Sequence, residues 1–104
     1  MADAVKQRLG VTDIIGSKRE DVLRIASRHK ARNLRVFGSV ARGEAHSNSD
    51  IDLLVDFEPD YKLLDQAALV VELSKLLGRK VDIAVASNLR DEYRQAILRD
   101  ARPL

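Results

Sequence analysis

The stretch from Phe37 to Phe57, FGSVARGEAHSNSDIDLLVDF, holds the residues best suited to chemistry: Gly38-Ser39 stands ten residues ahead of two aspartates spaced i, i+2, Asp50 and Asp52. At average residue frequencies, such a tetrad arises by chance in roughly one in a thousand chains of this length. The chemistry it suggests is metal-dependent phosphoryl transfer. Mg2+ takes oxygen ligands in near-octahedral geometry and commonly joins one or two protein carboxylates to the phosphates of a nucleotide. Two neighbouring carboxylates can seat two ions, one supporting the attacking oxygen and the other the leaving group of an in-line displacement. Mn2+ suits the same hard donors. Glycine in a tight turn lets the backbone approach a phosphate, and Ser39 adds a hydroxyl donor. A helical turn opening at residues 39 to 42 would aim further N–H groups at the same anion.

Two strands must position these groups. Leu34-Arg35-Val36-Phe37 reads as the end of a strand over about 33 to 37 that runs into the Gly38-Ser39 turn, and residues 43 to 49 read as a polar loop. Over 50 to 57 the apolar set Ile51, Leu53, Val55 and Phe57 alternates with Asp50, Asp52 and Asp56. A period-2 strand therefore buries the first set and points the site carboxylates the other way. A third alternating segment, Lys80 to Val85, carries Asp82 opposite Val81, Ile83 and Val85. On a neighbouring strand, Asp82 would complete the metal site and act as general base for an attacking hydroxyl. The competing reading is an exposed strand aspartate.

Helices fill the intervals. Ser17-Lys18-Arg19-Glu20 has the capping-box pattern, and Val22, Ile25, Ala26 and His29 recur at helical spacing, which predicts an amphipathic helix over about 18 to 30 with His29 at its end rather than on a metal. Apolar positions from Leu63 to Leu77 are broad enough for a buried helix, closed by Gly78. Residues 89 to 99 read as a last helix with Tyr93, Ala96 and Ile97 on one side, and Arg102-Pro103-Leu104 forms a short tail. A short helix over residues 2 to 9 is the least marked element, and Gly10 and Gly16 break the stretch beyond it.

The chain of 104 residues is expected to be one domain, residues 1–104, with residues 1–16 its least certain segment. That leaves no room for a separate substrate domain. Without cysteine, neither a disulfide framework nor a thiolate metal site is available. The longest apolar run, Ala67 to Val71, is far below a membrane span, and a soluble, cytoplasmic protein is expected. The net charge of +2 conceals an uneven distribution. Residues 1–36 hold nine basic side chains against four acids, whereas residues 44–60 hold six acids and no Lys or Arg. An acidic block repels phosphate backbones, and with four aromatic residues no stacking platform is visible, so direct nucleic-acid binding is not expected.

With Gly38-Ser39, Ala41-Arg42-Gly43, Ser49-Asp50-Ile51-Asp52-Leu53-Leu54-Val55 and Val81-Asp82-Ile83 in order, residues 17 to 104 closely resemble the MNT (minimal nucleotidyltransferase) proteins of the DNA polymerase β superfamily. The resemblance implies an α/β (α+β) nucleotidyltransferase fold, a small twisted mixed sheet packed with helices. It implies that Asp50 and Asp52 share two Mg2+ ions, that Asp82 serves the catalytic ion and the acceptor proton, and that Gly38 and Ser39 hold the phosphates of ATP. Arg42 either neutralises phosphate charge or pairs with Glu44 or another acid of the loop. Ser49 either contacts a phosphate or caps the loop, and His46 is read as solvated loop.

Many MNT proteins are antitoxins of type VII toxin-antitoxin pairs, encoded beside a HEPN-domain ribonuclease toxin. The activity the resemblance implies is protein adenylylation, the transfer of AMP from ATP to a toxin tyrosine. A transferase with no acceptor domain of its own suits an acceptor supplied by a docked protein. Two other readings stand beside it: an antitoxin that acts by binding alone, and a nucleotidyltransferase acting on RNA or a small molecule.

Overall fold

The computed structural model describes residues 7–104. Four strands, β1 (Ala31–Phe37), β2 (Ile51–Phe57), β3 (Val81–Val85) and β4 (Arg102–Pro103), form a sheet in the order β3-β2-β1-β4. β1 runs antiparallel to β2 and β4, whereas β2 and β3 are parallel. The sheet is therefore mixed. Parallel neighbours require a crossover, and α4 (Leu63–Leu77) supplies it between β2 and β3. The other helical elements are α1 (Val11–Ile14), a 3-10 turn at Gly16–Lys18, α2 (Arg19–Arg28), α3 (Gly38–Ala41), a 3-10 turn at Ala86–Asn88, and α5 (Asp91–Asp100). The expected fold class, a small mixed sheet packed with helices, is the one observed.

The core lies between one sheet face and the pair α2 and α4. Val22 and Ala26 of α2 and Leu69, Leu73 and Leu77 of α4 meet Val36, Leu53 and Val55 of the sheet, all buried. Spacings of i, i+4 and i+8 place the α4 residues on one stripe. α4 is nonetheless not the buried helix that its composition suggests, since Leu63 and Leu64 at its start are 79% and 80% exposed and Val71 is 51% exposed. The sheet takes one side of the helix and α2 flanks it, so among the described residues its outer side has no layer to pack against. His29 ends α2 as expected, and its Nε2 stands 2.6 Å from Glu72 Oε2 of α4, tying the two helices together.

Other elements differ from what their sequences suggest. The helix expected to begin at a Ser17 cap starts at Arg19, and no side chain caps its first amides. Gly16–Lys18 instead wind into the 3-10 turn, where Lys18 N–H donates to Ile15 O at 2.7 Å, so Ser17 lies inside a turn rather than at a helix boundary. The helix expected over residues 2–9 falls mainly outside the described residues; of the remainder, Leu9 forms an antiparallel bridge with Ala45 through hydrogen bonds of 2.7 and 3.1 Å. In α5, Tyr93 and Ala96 are exposed, while Arg94, Ile97 and Asp100 are the partly buried positions. The terminal tail is a strand: Val36 pairs with Arg102, Arg35 pairs with Pro103, and Leu104 N–H donates to Leu34 O at 3.0 Å.

Packing predicts an asymmetry along α4. Leu69→Ala empties a fully buried position and should cost about 2–5 kcal/mol in urea unfolding. Leu64→Ala, at an exposed position, should change stability by no more than about 0.5 kcal/mol.

Candidate active site

Phe37 leaves β1 in an extended conformation, φ −135° and ψ −177°, and Gly38 at φ +73° turns the chain abruptly into the single helical turn of α3. Left-handed backbone disfavours any residue with a Cβ. A second constraint is steric, because a Cβ on Gly38 would run into the Asp52 carboxylate, lying 3.3 Å from its Cγ and closer still to Oδ2. The Gly38-Ser39 turn is thus laid directly against Asp52. Phe37 and Asp52 are also register partners across β1 and β2.

Asp52 has a second register partner, Asp82, across the parallel β2–β3 pairing. Paired residues of adjacent strands project to the same face about 4.8 Å apart, so the two carboxylates share a surface. Asp50 precedes β2, and its side chain is half-exposed, as is that of Asp82. Burial raises the Asp52 carboxyl above its ordinary value of 3.8, and the charges of Asp82 and then Asp50 raise it further, while Arg42 opposes them. The three sequence-predicted aspartates therefore converge electrostatically. Leu54, between Asp52 and Asp56, is fully buried although it lies on the aspartates' side of the strand. That face is therefore covered at Leu54; α5 contacts β1, and the Ala86–Asn88 turn contacts β2.

The remaining site residues have definite partners. Arg42 donates from Nε to Glu44 Oε1 at 2.9 Å and from Nη1 to Asp100 Oδ2 of α5 at 2.7 Å. It thus makes the Glu44 pair considered from the sequence, with a second carboxylate added by the fold. Ser49 Oγ accepts the His46 N–H at 2.9 Å, which caps the loop before Asp50. His46 is exposed. Ser39 lies in the first turn of α3, and its carbonyl accepts from Glu44 N–H at 2.9 Å. Two residues not singled out in the sequence also act here. Arg79 Nη1 donates to His46 O at 2.9 Å and Ser49 O at 3.1 Å, fixing the loop that delivers Asp50. Lys80 Nζ stands 3.9 Å from both Asp50 Oδ2 and Asp82 Oδ1. Their only sequence signal is adjacency to the strand of Asp82.

As a donor set, three carboxylates beside a serine hydroxyl suit a hard divalent cation such as Mg2+ or Mn2+. In the geometry observed, no three His, Cys, Asp or Glu side chains among the described residues are gathered so that they could hold an ion. The register nonetheless fixes the backbones of Asp52 and Asp82 side by side, so that their side chains leave the same face of the sheet.

A mixed sheet with a glycine-serine turn against the first of two register-paired aspartates defines a nucleotidyltransferase. The nucleotidyltransferase domain family matches residues 19–104, and the chain belongs to it. Among its relatives is the protein adenylyltransferase MntA of Thermococcus cleftensis, 41% identical over 76 residues that make up 73% of this chain and 77% of the relative. A solved structure described as a minimal nucleotidyltransferase is 51% identical, with a TM-score of 0.76 over 85% of this chain and 90% of the other. A toxin-antitoxin structure with AMP-PNP shares the fold, with a TM-score of 0.70 at 21% identity over 81% of this chain and 69% of that one.

Packing and charge at the site each make a prediction. Gly38→Ala and Gly43→Ala both place a Cβ at positive φ, at +73° and +71°, but only Gly38 has the Asp52 carboxylate in the way. Each should lose on the order of 1–2 kcal/mol to backbone strain, with a larger loss for Gly38→Ala in urea unfolding and a selective loss of nucleotide binding. Asp52→Asn removes a charge that the fold holds unfavourably. Because the folded-state value is raised, the penalty is absent below 3.8 and grows as pH rises through the raised value. The variant should therefore be more stable than wild type at pH 7, and that advantage should fade in denaturation curves taken toward pH 3.8.

Proposed function

We propose that this protein is the antitoxin of a HEPN/MNT pair, a protein adenylyltransferase that moves AMP from ATP to a tyrosine hydroxyl of a HEPN ribonuclease toxin. The observation that carries the reading is the register pairing of Asp52 with Asp82, with the Gly38 turn laid against Asp52. Family membership and the adenylyltransferase relative support the reaction type. The toxin-antitoxin assembly that shares the fold supports the biological setting.

In this scheme the tyrosine oxygen forms a bond to the α-phosphorus of ATP as the bond from that phosphorus to the pyrophosphate oxygen breaks. Asp82, half-exposed at the end of β3 nearest Asp52, accepts the tyrosine proton. Asp50 and Asp52, with Asp82 at the catalytic ion, would hold two Mg2+ ions, which would supply charge neutralisation at the phosphates and the leaving group. Gly38 and Ser39 bring backbone and hydroxyl donors to the phosphates. Arg42 places positive charge near Asp52 while Glu44 and Asp100 hold its guanidinium in position. Ser49 acts through its cap on the loop that presents Asp50. Docking of the toxin supplies the orientation of the acceptor. No helix among the described residues is long and apolar enough to cross a membrane, which is compatible with a cytoplasmic partner.

Neutralisation by modification outlasts contact. Toxin incubated with this protein, ATP and Mg2+ should remain inactive after the two are separated, and its mass should rise by one or more AMP units on tyrosine. The Asp50→Asn/Asp52→Asn variant should still bind the toxin, yet lose transfer by orders of magnitude and fail to rescue growth. Recovery of the toxin on separation, or full rescue by that variant at matched expression, would instead mark an antitoxin that works by occupancy.

A further inference from the structure

We infer that Lys80 is a built-in competitor for the divalent cation, its ammonium standing between Asp50 and Asp82 and thereby setting the metal affinity of the site. The inference rests on the reading of Asp50, Asp52 and Asp82 as metal ligands and adds a regulator that this reading lacks. Lys80 Nζ is equidistant, at 3.9 Å, from an oxygen of Asp50 and an oxygen of Asp82, which reach it from different elements. The base of the side chain is well placed. Lys80 O accepts Ile51 N–H at 2.9 Å, the next residue's N–H donates to Ser74 Oγ at 3.2 Å, and Arg79 is bonded to the loop carbonyls.

The head of the side chain is free to move. The Lys80 side chain is 70% exposed, and both carboxylates lie beyond hydrogen-bond distance, so charge alone holds it there. Arg42, the cation on the Asp52 side, is locked by hydrogen bonds to Glu44 and Asp100. Three carboxylates facing one surface repel one another, and Lys80 relieves two of them before any metal binds. A dication drawn to the same oxygens meets that ammonium and must displace it. Lysine suits this role because its charge is compact and its stem flexible.

The test is calorimetry of Mg2+ and Mn2+ binding to the protein of residues 1–104 without nucleotide, at one ionic strength, for wild type, Lys80→Gln, Lys80→Arg, Lys80→Glu and Asp52→Asn. Removing a unit charge a few ångströms from a dication in a wet, screened site should tighten binding by roughly three- to tenfold. Lys80→Gln should therefore bind metal more tightly than wild type, Lys80→Glu more tightly again, and Lys80→Arg close to wild type, with thermal midpoints showing that each is folded. A merely structural role would weaken binding in all three. Equal or weaker binding by Lys80→Gln, while Asp52→Asn abolishes it, would overturn the role of Lys80 and leave the carboxylate site standing. Metal binding unaffected by Asp52→Asn, or absent from wild type, would overturn both.

Discussion

The parallel pairing of β2 with β3 is the constraint on which the rest of the site depends. It sets Asp52 opposite Asp82 and brings Asp50 to the same end, although like charges in such proximity repel. What holds them is apolar: Ile51, Leu53 and Val55 on β2 and Val81 and Val85 on β3 are buried. Because side chains alternate along a strand, a slip of one residue would turn these away from the helical layer and the aspartates into the core. The hydrophobic register therefore enforces an electrostatically unfavourable one, and the raised Asp52 carboxyl records that conflict.

Around this acidic centre the fold distributes cations with different degrees of freedom. Arg79 is used structurally, donating to the carbonyls of His46 and Ser49 and so fixing the approach to Asp50. Arg42 joins α3 to α5 through Asp100 and lends its charge to Asp52. Lys80 has neither tether, although it stands closest to two of the carboxylates. An ordered guanidinium fork and a mobile ammonium differ in this way by chemistry, since the planar group keeps several directed hydrogen bonds whereas the ammonium behaves as a point charge.

The periphery reflects a fold with one sheet and one main helical layer. α4 meets the sheet and α2 along a single stripe, so its remaining apolar residues face outward. β4 is only two residues long, yet its pairing covers the edge of β1 and brings Leu104 onto the core. At the opposite end, the Leu9–Ala45 bridge closes over the loop after α3. These short contacts tie the segments flanking the central unit to the strands that carry the site.

The sequence by itself determined the parts of this protein that rest on local periodicity and on residue chemistry. Alternation around Asp50, Asp52 and Asp82 is enough to place two strands and the face they present, and the position of Gly78 is enough to end α4, where it adopts φ 65°. Gly38-Ser39 could likewise be read as a turn, because few other residues tolerate that backbone. Tertiary structure decided whatever depends on which surfaces meet. The breadth of apolar residues in α4 could not reveal that only one stripe would find a partner, nor could Arg102-Pro103-Leu104 announce a strand whose register partners lie on β1. The same holds for the partners of Arg42, Arg79 and Lys80. Glu44 is a near neighbour of Arg42, but Asp100 and the carboxylates around Lys80 are brought close only by packing, and a charge has no preferred partner until the chain has folded around it.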